Sequence, residues 1–205
     1  MSFLTALISC LILTGAAAQD GALPSHARIQ TSMGDIDVEL YGDNAPVTVQ
    51  NFIGYATSGY YDRLVFHRVV EGTLIQGGGY TKSLFRRATT QDPIVNEATN
   101  GIRNTRGTLA MARFSDPDSA TSQFFINLKD NPFLDRTGET YKKDAGYAVF
   151  GKVVAGMEIA DAIGMVETGP AEGEIYFEKD VPVEPVLILR IDPITAEDVG
   201  ATAGE

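Results

Sequence analysis

Between residues 27 and 192 the chain is cut again and again into short β-prone runs by Gly, Pro, Asn and Asp, and no other feature constrains its fold as much. The runs are Leu64 to Val70, Thr73 to Gln76, Gly107 to Met111, Gln123 to Leu128 and Tyr147 to Val154. Ahead of them, Arg28 to Leu40 reads as a strand pair folded at Met33-Gly34-Asp35. Its second strand alternates Ile36, Val38 and Leu40 with Asp35, Asp37 and Glu39, which predicts an apolar face turned inward. Val186 to Ile191 is apolar enough to be buried on both faces. Helical spacing occurs where Pro46 suits a first turn and Val49, Phe52, Ile53 and Ala56 recur until Gly59, and a second short helix is predicted from Met157 to Ile163. Many short strands with two helices point to a closed, mainly β structure rather than βαβ units. A chain of 205 residues, 44% apolar and 21% charged, is large enough to bury one core.

The ends read differently from the middle. Phe3 to Leu13 is an apolar run and Ala16-Ala17-Ala18 precedes Gln19, so residues 1–18 are expected to be a cleaved signal peptide and the mature protein to be periplasmic or secreted. No Lys or Arg precedes the run, and Leu7-Ile8-Ser9-Cys10 leaves a lipid anchor through Cys10 as the alternative. Residues 19–26 are expected to be a linker and 193–205 a flexible acidic tail. The single cysteine lies in the leader, so an oxidising compartment suits the mature chain. A net charge of -11 argues against nucleic acid as a partner. With two histidines and no mature thiol, no metal and no cofactor are expected.

Few residues stand out as chemical. Gly77-Gly78-Gly79 lacks the Lys-Ser/Thr and the spacing of a phosphate cradle and reads as a turn or bulge. His67 has no Gly-x-Ser-x-Gly elbow to serve and reads as a structural strand residue. Strand alternation puts Phe66 and Arg68 on one face with His67 on the other, pairs Leu74 with Gln76, and pairs Gln123 with Phe125 opposite Phe124 and Ile126. On that pattern alone, Leu74 and Phe125 read as core and Arg68 as a solvated strand residue.

An ordered set of longer motifs adds a second line of argument. It comprises Phe66-His67-Arg68-Val69-Val70, Gln76-Gly77-Gly78-Gly79, Asn96-Glu97, residues 104–113 (NTRGTLAMAR), Ser122-Gln123-Phe124-Phe125-Ile126-Asn127 and Val149-Phe150-Gly151-Lys152-Val153. Across residues 27–192 this set resembles the cyclophilin family, especially its compact exported bacterial members. The resemblance implies a closed antiparallel β-barrel of eight strands capped by two α-helices, with a groove on its outside and peptidyl-prolyl cis/trans isomerase activity. It makes Arg68 the catalytic arginine and Gln76, Ala112 and Gln123 the groove residues that hold peptide backbone. It places Leu74, Phe125 and Leu134 around the proline ring. Thr73, Phe133 and Tyr147 stand where many or some members carry Phe, Trp and His, while Arg113 and Phe114 reshape the rim, as does the charged stretch from Arg136 to Asp144. Met111 and His67 are expected to be structural. The implied partners are unfolded or partly folded proline-containing polypeptides met by a monomer, with weak cyclosporin binding because Phe133 lacks an indole N–H. Two other classes stay open: a proline-binding chaperone or scaffold with weak turnover, and a barrel carrier of small apolar ligands. Aromatic filling by Phe52, Phe66, Phe124 and Phe150 argues against the carrier.

Overall fold

The computed structural model describes residues 23–138 and 144–201, so the expected signal peptide, Cys10 and the last four residues lie outside the described residues. Eight strands close into an antiparallel barrel: β1 (His26–Thr31), β2 (Gly34–Leu40), β3 (Leu64–Val70), β4 (Leu74–Thr81), β5 (Thr108–Met111), β6 (Phe124–Asn127), β7 (Val149–Ala155) and β10 (Leu187–Ile194). Around the barrel the order is β1-β10-β3-β4-β6-β5-β7-β2, and closure leaves none of these strands with an unpaired edge. The remaining strands, β8 (Thr168–Glu172) and β9 (Tyr176–Pro182), form a separate hairpin. The barrel interior is packed solid. Phe52, Phe66, Phe124 and Phe150 are fully buried there, Phe52 meeting Phe124 edge-on at 5.5 Å and Phe150 in a tilted contact at 5.2 Å, and this aromatic filling argues against a carried ligand.

The helix α1 (Pro46–Thr57) supplies Phe52 and packs against β10. Its N-cap, Ala45, has no side chain able to accept the free amides of the first turn. Glu97 does so from a distant loop, its carboxylate taking Val47 N at 3.2 Å, Thr48 N at 2.8 Å and the Thr48 hydroxyl at 2.6 Å, and its charge suits the positive end of the helix. The short helix α2 (Met157–Ile163) buries Ala160 and Ile163 and rests on β2.

Three expectations need correction. In β2, Asp37 is buried rather than solvated, because Arg28 of β1 meets it with two hydrogen bonds of 2.7 and 2.8 Å. In β10, Leu189 and Arg190 are exposed, so that strand is covered on one face only. The segment from 193 to 201, expected as a free tail, finishes β10 and turns through a short 3-10 helix (Ala196–Asp198) closed by a Thr195–Asp198 capping box. It is pinned to the same ion pair: Arg28 Nη2 donates to the Asp198 carbonyl at 2.8 Å and Gly200 N to Asp37 at 2.8 Å.

Candidate functional site

The site is built where β3 departs from regular pleating. Phe66 pairs with Gly77 and Arg68 with Gln76, which leaves His67 as an extra residue without a partner. Phe66 and Val69 both lie in the barrel core, so the two residues between them share the outer face. The expected separation of His67 from Arg68 is therefore wrong: a bulge resets the two-residue period. A second irregularity, between Val65 and Phe66, loops out Gly78 and Gly79 of β4, and Gly78 has a φ of 83°. The glycine run is thus a bulge inside a strand rather than a turn.

Glycine is required there. A Cβ on Gly79 would lie 2.6 Å from the Gln123 side chain, which is laid flat across it. With that clearance, Arg68, Gln76 and Gln123 form a polar line across β3, β4 and the start of β6. Arg68 Nη1 donates to Gln76 Oε1 at 3.4 Å, and Gln76 Nε2 donates to Gln123 Oε1 at 3.0 Å. Arg68 is exposed, so its charge is hydrated and available. His67 lies beneath, its ring 4.6 Å from that of Tyr80. Burial holds its pKa down at about 4; the Val65 backbone partly offsets this, the Arg68 charge adds to it, and Gln123 offsets a little more. The imidazole is therefore neutral at pH 7.

Next to the polar line is an apolar one. Leu74, Phe125, Ala110 and Val149 are buried together outside the barrel, with Ala112, Leu134 and Tyr147 packed around them. The Tyr147 ring meets Phe125 edge-on at 5.6 Å. This second cluster explains why Leu74 and Phe125 read as core in the sequence: they are buried, but on the wrong side of the strands for the barrel. Phe133, in the 3-10 turn Pro132–Leu134, is 69% exposed beside it. Thr73 heads β4 with its hydroxyl turned back onto the Glu71 carbonyl at 3.3 Å. Arg113 stacks over Tyr147 at 4.7 Å and donates to the Gly146 and Phe114 carbonyls at 3.0 and 2.8 Å, so two of its nitrogens brace the rim. Ala112 bonds through its N–H to the Gln123 carbonyl at 2.9 Å and lines a small cavity of about 90 Å³ with Gln76, Arg113, Gln123, Arg86, Phe114, Ser119 and Thr121.

The residues that the resemblance assigned to the groove thus gather on one outer face, in a polar strip against an apolar pocket, while Met111 is buried in the barrel core. Sequence reasoning missed Arg86 and Thr121, which reach the cavity from loops without a motif, and Asp180 of β9, whose carboxylate stands 3.8 Å from Arg68 Nε.

Comparison with known proteins identifies the family. A family model described as cyclophilin type peptidyl-prolyl cis-trans isomerase/CLD matches residues 26–192. Peptidyl-prolyl cis-trans isomerase A of Dickeya dadantii is 47% identical over 189 residues, covering 90% of this chain and 93% of that protein. Peptidyl-prolyl cis-trans isomerase B of Escherichia coli is 49% identical over 161 residues, covering 78% and 94%. Among solved structures, a Cryptosporidium parvum cyclophilin crystallised in the presence of the dipeptide Ala-Pro superposes with a TM-score of 0.66 at 26% identity, covering 83% of this chain and 99% of that one. The strip of Arg68, Gln76 and Gln123 on the outside of a packed barrel, and a family match running almost the whole described length, lead to one conclusion: this chain belongs to the cyclophilin-type peptidyl-prolyl cis-trans isomerases.

Proposed function

We propose that the protein is exported and there accelerates X-Pro rotation in partly folded, proline-containing polypeptides, with Arg68 as its catalytic residue. The observation that carries the assignment is an exposed guanidinium fixed beside an apolar pocket through Gln76. Rotation about an X-Pro bond breaks no covalent bond, but it must interrupt amide resonance across a barrier of about 20 kcal/mol. In the twisted state the prolyl nitrogen regains a lone pair that the planar amide lacks. A guanidinium N–H aimed at it binds that state more strongly than the ground state, which is the requirement for catalysis. One charge-assisted hydrogen bond, worth about 1.5–3 kcal/mol, supplies about one to two decades in rate. The pocket of Leu74, Phe125 and Leu134 supplies the rest by gripping the ring while Gln76, Ala112 and Gln123 hold the flanking backbone.

The test is Arg68→Lys, which keeps the charge and loses the planar fork. A protease-coupled proline-peptide assay is expected to show kcat/KM lower by at least one decade with unchanged circular dichroism; wild-type turnover would remove Arg68 from the chemistry. Export rests on the apolar run from Phe3 and the small residues before Gln19. Intact mass of the secreted protein is expected to begin at Gln19, and a form acylated at Cys10 would replace this reading with the lipid anchor. Weak cyclosporin binding belongs to the same proposal, since Phe133 offers no donor.

A further inference from the structure

The β8–β9 hairpin does more than cover the barrel. Val181 is buried against Val65 and Leu84, with Tyr80 and Phe177 packed around them, so β9 is rooted on the outer face of β3. The residue before Val181 is Asp180, whose backbone is left-handed with a φ of 67°. This conformation is disfavoured for most residues, and Asp is among those that tolerate it. The turn directs the carboxylate back over β3, where Oδ2 stands 3.8 Å from Arg68 Nε. That is an ion-pair distance rather than a hydrogen bond. The Asp180 side chain is 21% exposed and that of Arg68 48%, so the anchor is the more enclosed partner.

We propose that Asp180 is a positioning residue, holding the Arg68 guanidinium in its working orientation from the hairpin side; the proposal rests on the reading of Arg68 given above. Gln76 takes Nη1 from β4 at 3.4 Å while Asp180 faces Nε from β9. Two anchors on different nitrogens define the plane of the fork and leave Nη2 without either. An arginine has several rotatable bonds, and a donor must be aimed at the prolyl nitrogen at the moment it pyramidalises. The guanidinium has to be aimed only when the prolyl nitrogen pyramidalises, so without Asp180 the cost of orienting it falls on the rotation step rather than on peptide binding.

Asp180→Gly deletes the carboxylate at a position whose backbone angle suits glycine, and Asp180→Asn keeps the size and the tolerance of a left-handed φ. Both are expected to lower kcat about three- to fivefold, the range of an exposed ion pair, with KM unchanged within about twofold. In an Arg68→Ala background, followed by exchange NMR of a proline peptide, Asp180→Gly is expected to change nothing. With Arg68 intact, Asp180→Asn alone is expected to shift the Arg68 Nε–H resonance. An active wild-type enzyme with full kcat in Asp180→Gly, or an equal loss in the Arg68→Ala background, would overturn the proposal. A wild-type protein that failed to isomerise proline peptides would overturn the underlying reading of Arg68 instead.

Discussion

His67 and Thr73 show how single side chains on the outer face carry consequences of their own. His67 is buried with its Nδ1 unpartnered, and burial, with Arg68 beside it, holds its pKa at about 4 against an ordinary value of 6.5. Above pH 6.5 it is neutral folded and unfolded, so it leaves stability unchanged. As pH falls below 6.5 the unfolded chain takes up a proton that the folded protein refuses until about pH 4, so stability declines through that window by a total of about 3 kcal/mol. Urea unfolding between pH 7 and 4.5 is expected to show this decline in the wild type and much less of it in His67→Gln. The lowered carboxylates, Asp37, Asp161 and Asp198, lose their contribution as pH falls toward and below their ordinary value of 3.8, and they do so equally in both proteins. Thr73 has its carbonyl fixed by Leu128 N at 2.9 Å and Asn131 Nδ2 at 3.0 Å, so its backbone is held by bonds that the side chain does not make. Thr73→Phe is expected to raise kcat/KM about tenfold, about 1.4 kcal/mol, by adding an aromatic wall. A folded variant with unchanged kcat/KM would show that Leu74, Leu134 and Tyr147 close the pocket unaided.

At the scale of elements, the paired irregularities of β3 and β4 decide the site. Gly78 holds its positive φ with the Ser122 carbonyl and a Tyr61 ring carbon each 2.9 Å from where a Cβ would stand. Gly78→Ala combines left-handed strain with overpacking against backbone that cannot retreat, and is expected to cost about 2–4 kcal/mol, read as a lower urea midpoint. The loss of rate should exceed the loss of folded protein, because Arg68 and Gln76 face each other across the same bulged pair. Period and punctuation predicted β3, α1 and α2 nearly to the residue. The β8–β9 hairpin escaped notice because Thr168–Glu172 and Tyr176–Pro182 carry Gly, Pro and charged residues and no apolar alternation. Its stability comes from Val65 and Leu84 of other segments.

At the scale of the molecule, the ends of the described chain are tied together. Arg28 and Asp37 are nearly solvent-free, and Asp37 also accepts from Gly200, so β1, β2 and the last turn share one charge pair. Burial alone would raise the Asp37 pKa, but the bonds from Arg28 and Gly200 outweigh it and hold the carboxyl below its usual range. Asp37→Ala leaves the guanidinium with the Asp198 carbonyl and a distant Asp35 at 3.9 Å. Because the pair borders an open surface cavity, the expected cost is about 2–3 kcal/mol, at or below the low end for a buried pair, measured by chemical denaturation. What the sequence alone determined was the eight barrel strands and the two helices and, through long motifs in fixed order, the family. These are legible because hydrophobic period is a local property of backbone geometry and because motif residues are close together along the chain. Tertiary structure alone decided that His67 shares the face of Arg68, that Asp37 is buried, that residues 193–201 are tied down, and that Asp180 reaches Arg68. Each depends on which distant segments meet and in what register: the glycine run marks the bulge in β4, but the extra residue at His67 in β3 and a long-range ion pair leave no mark on local pattern.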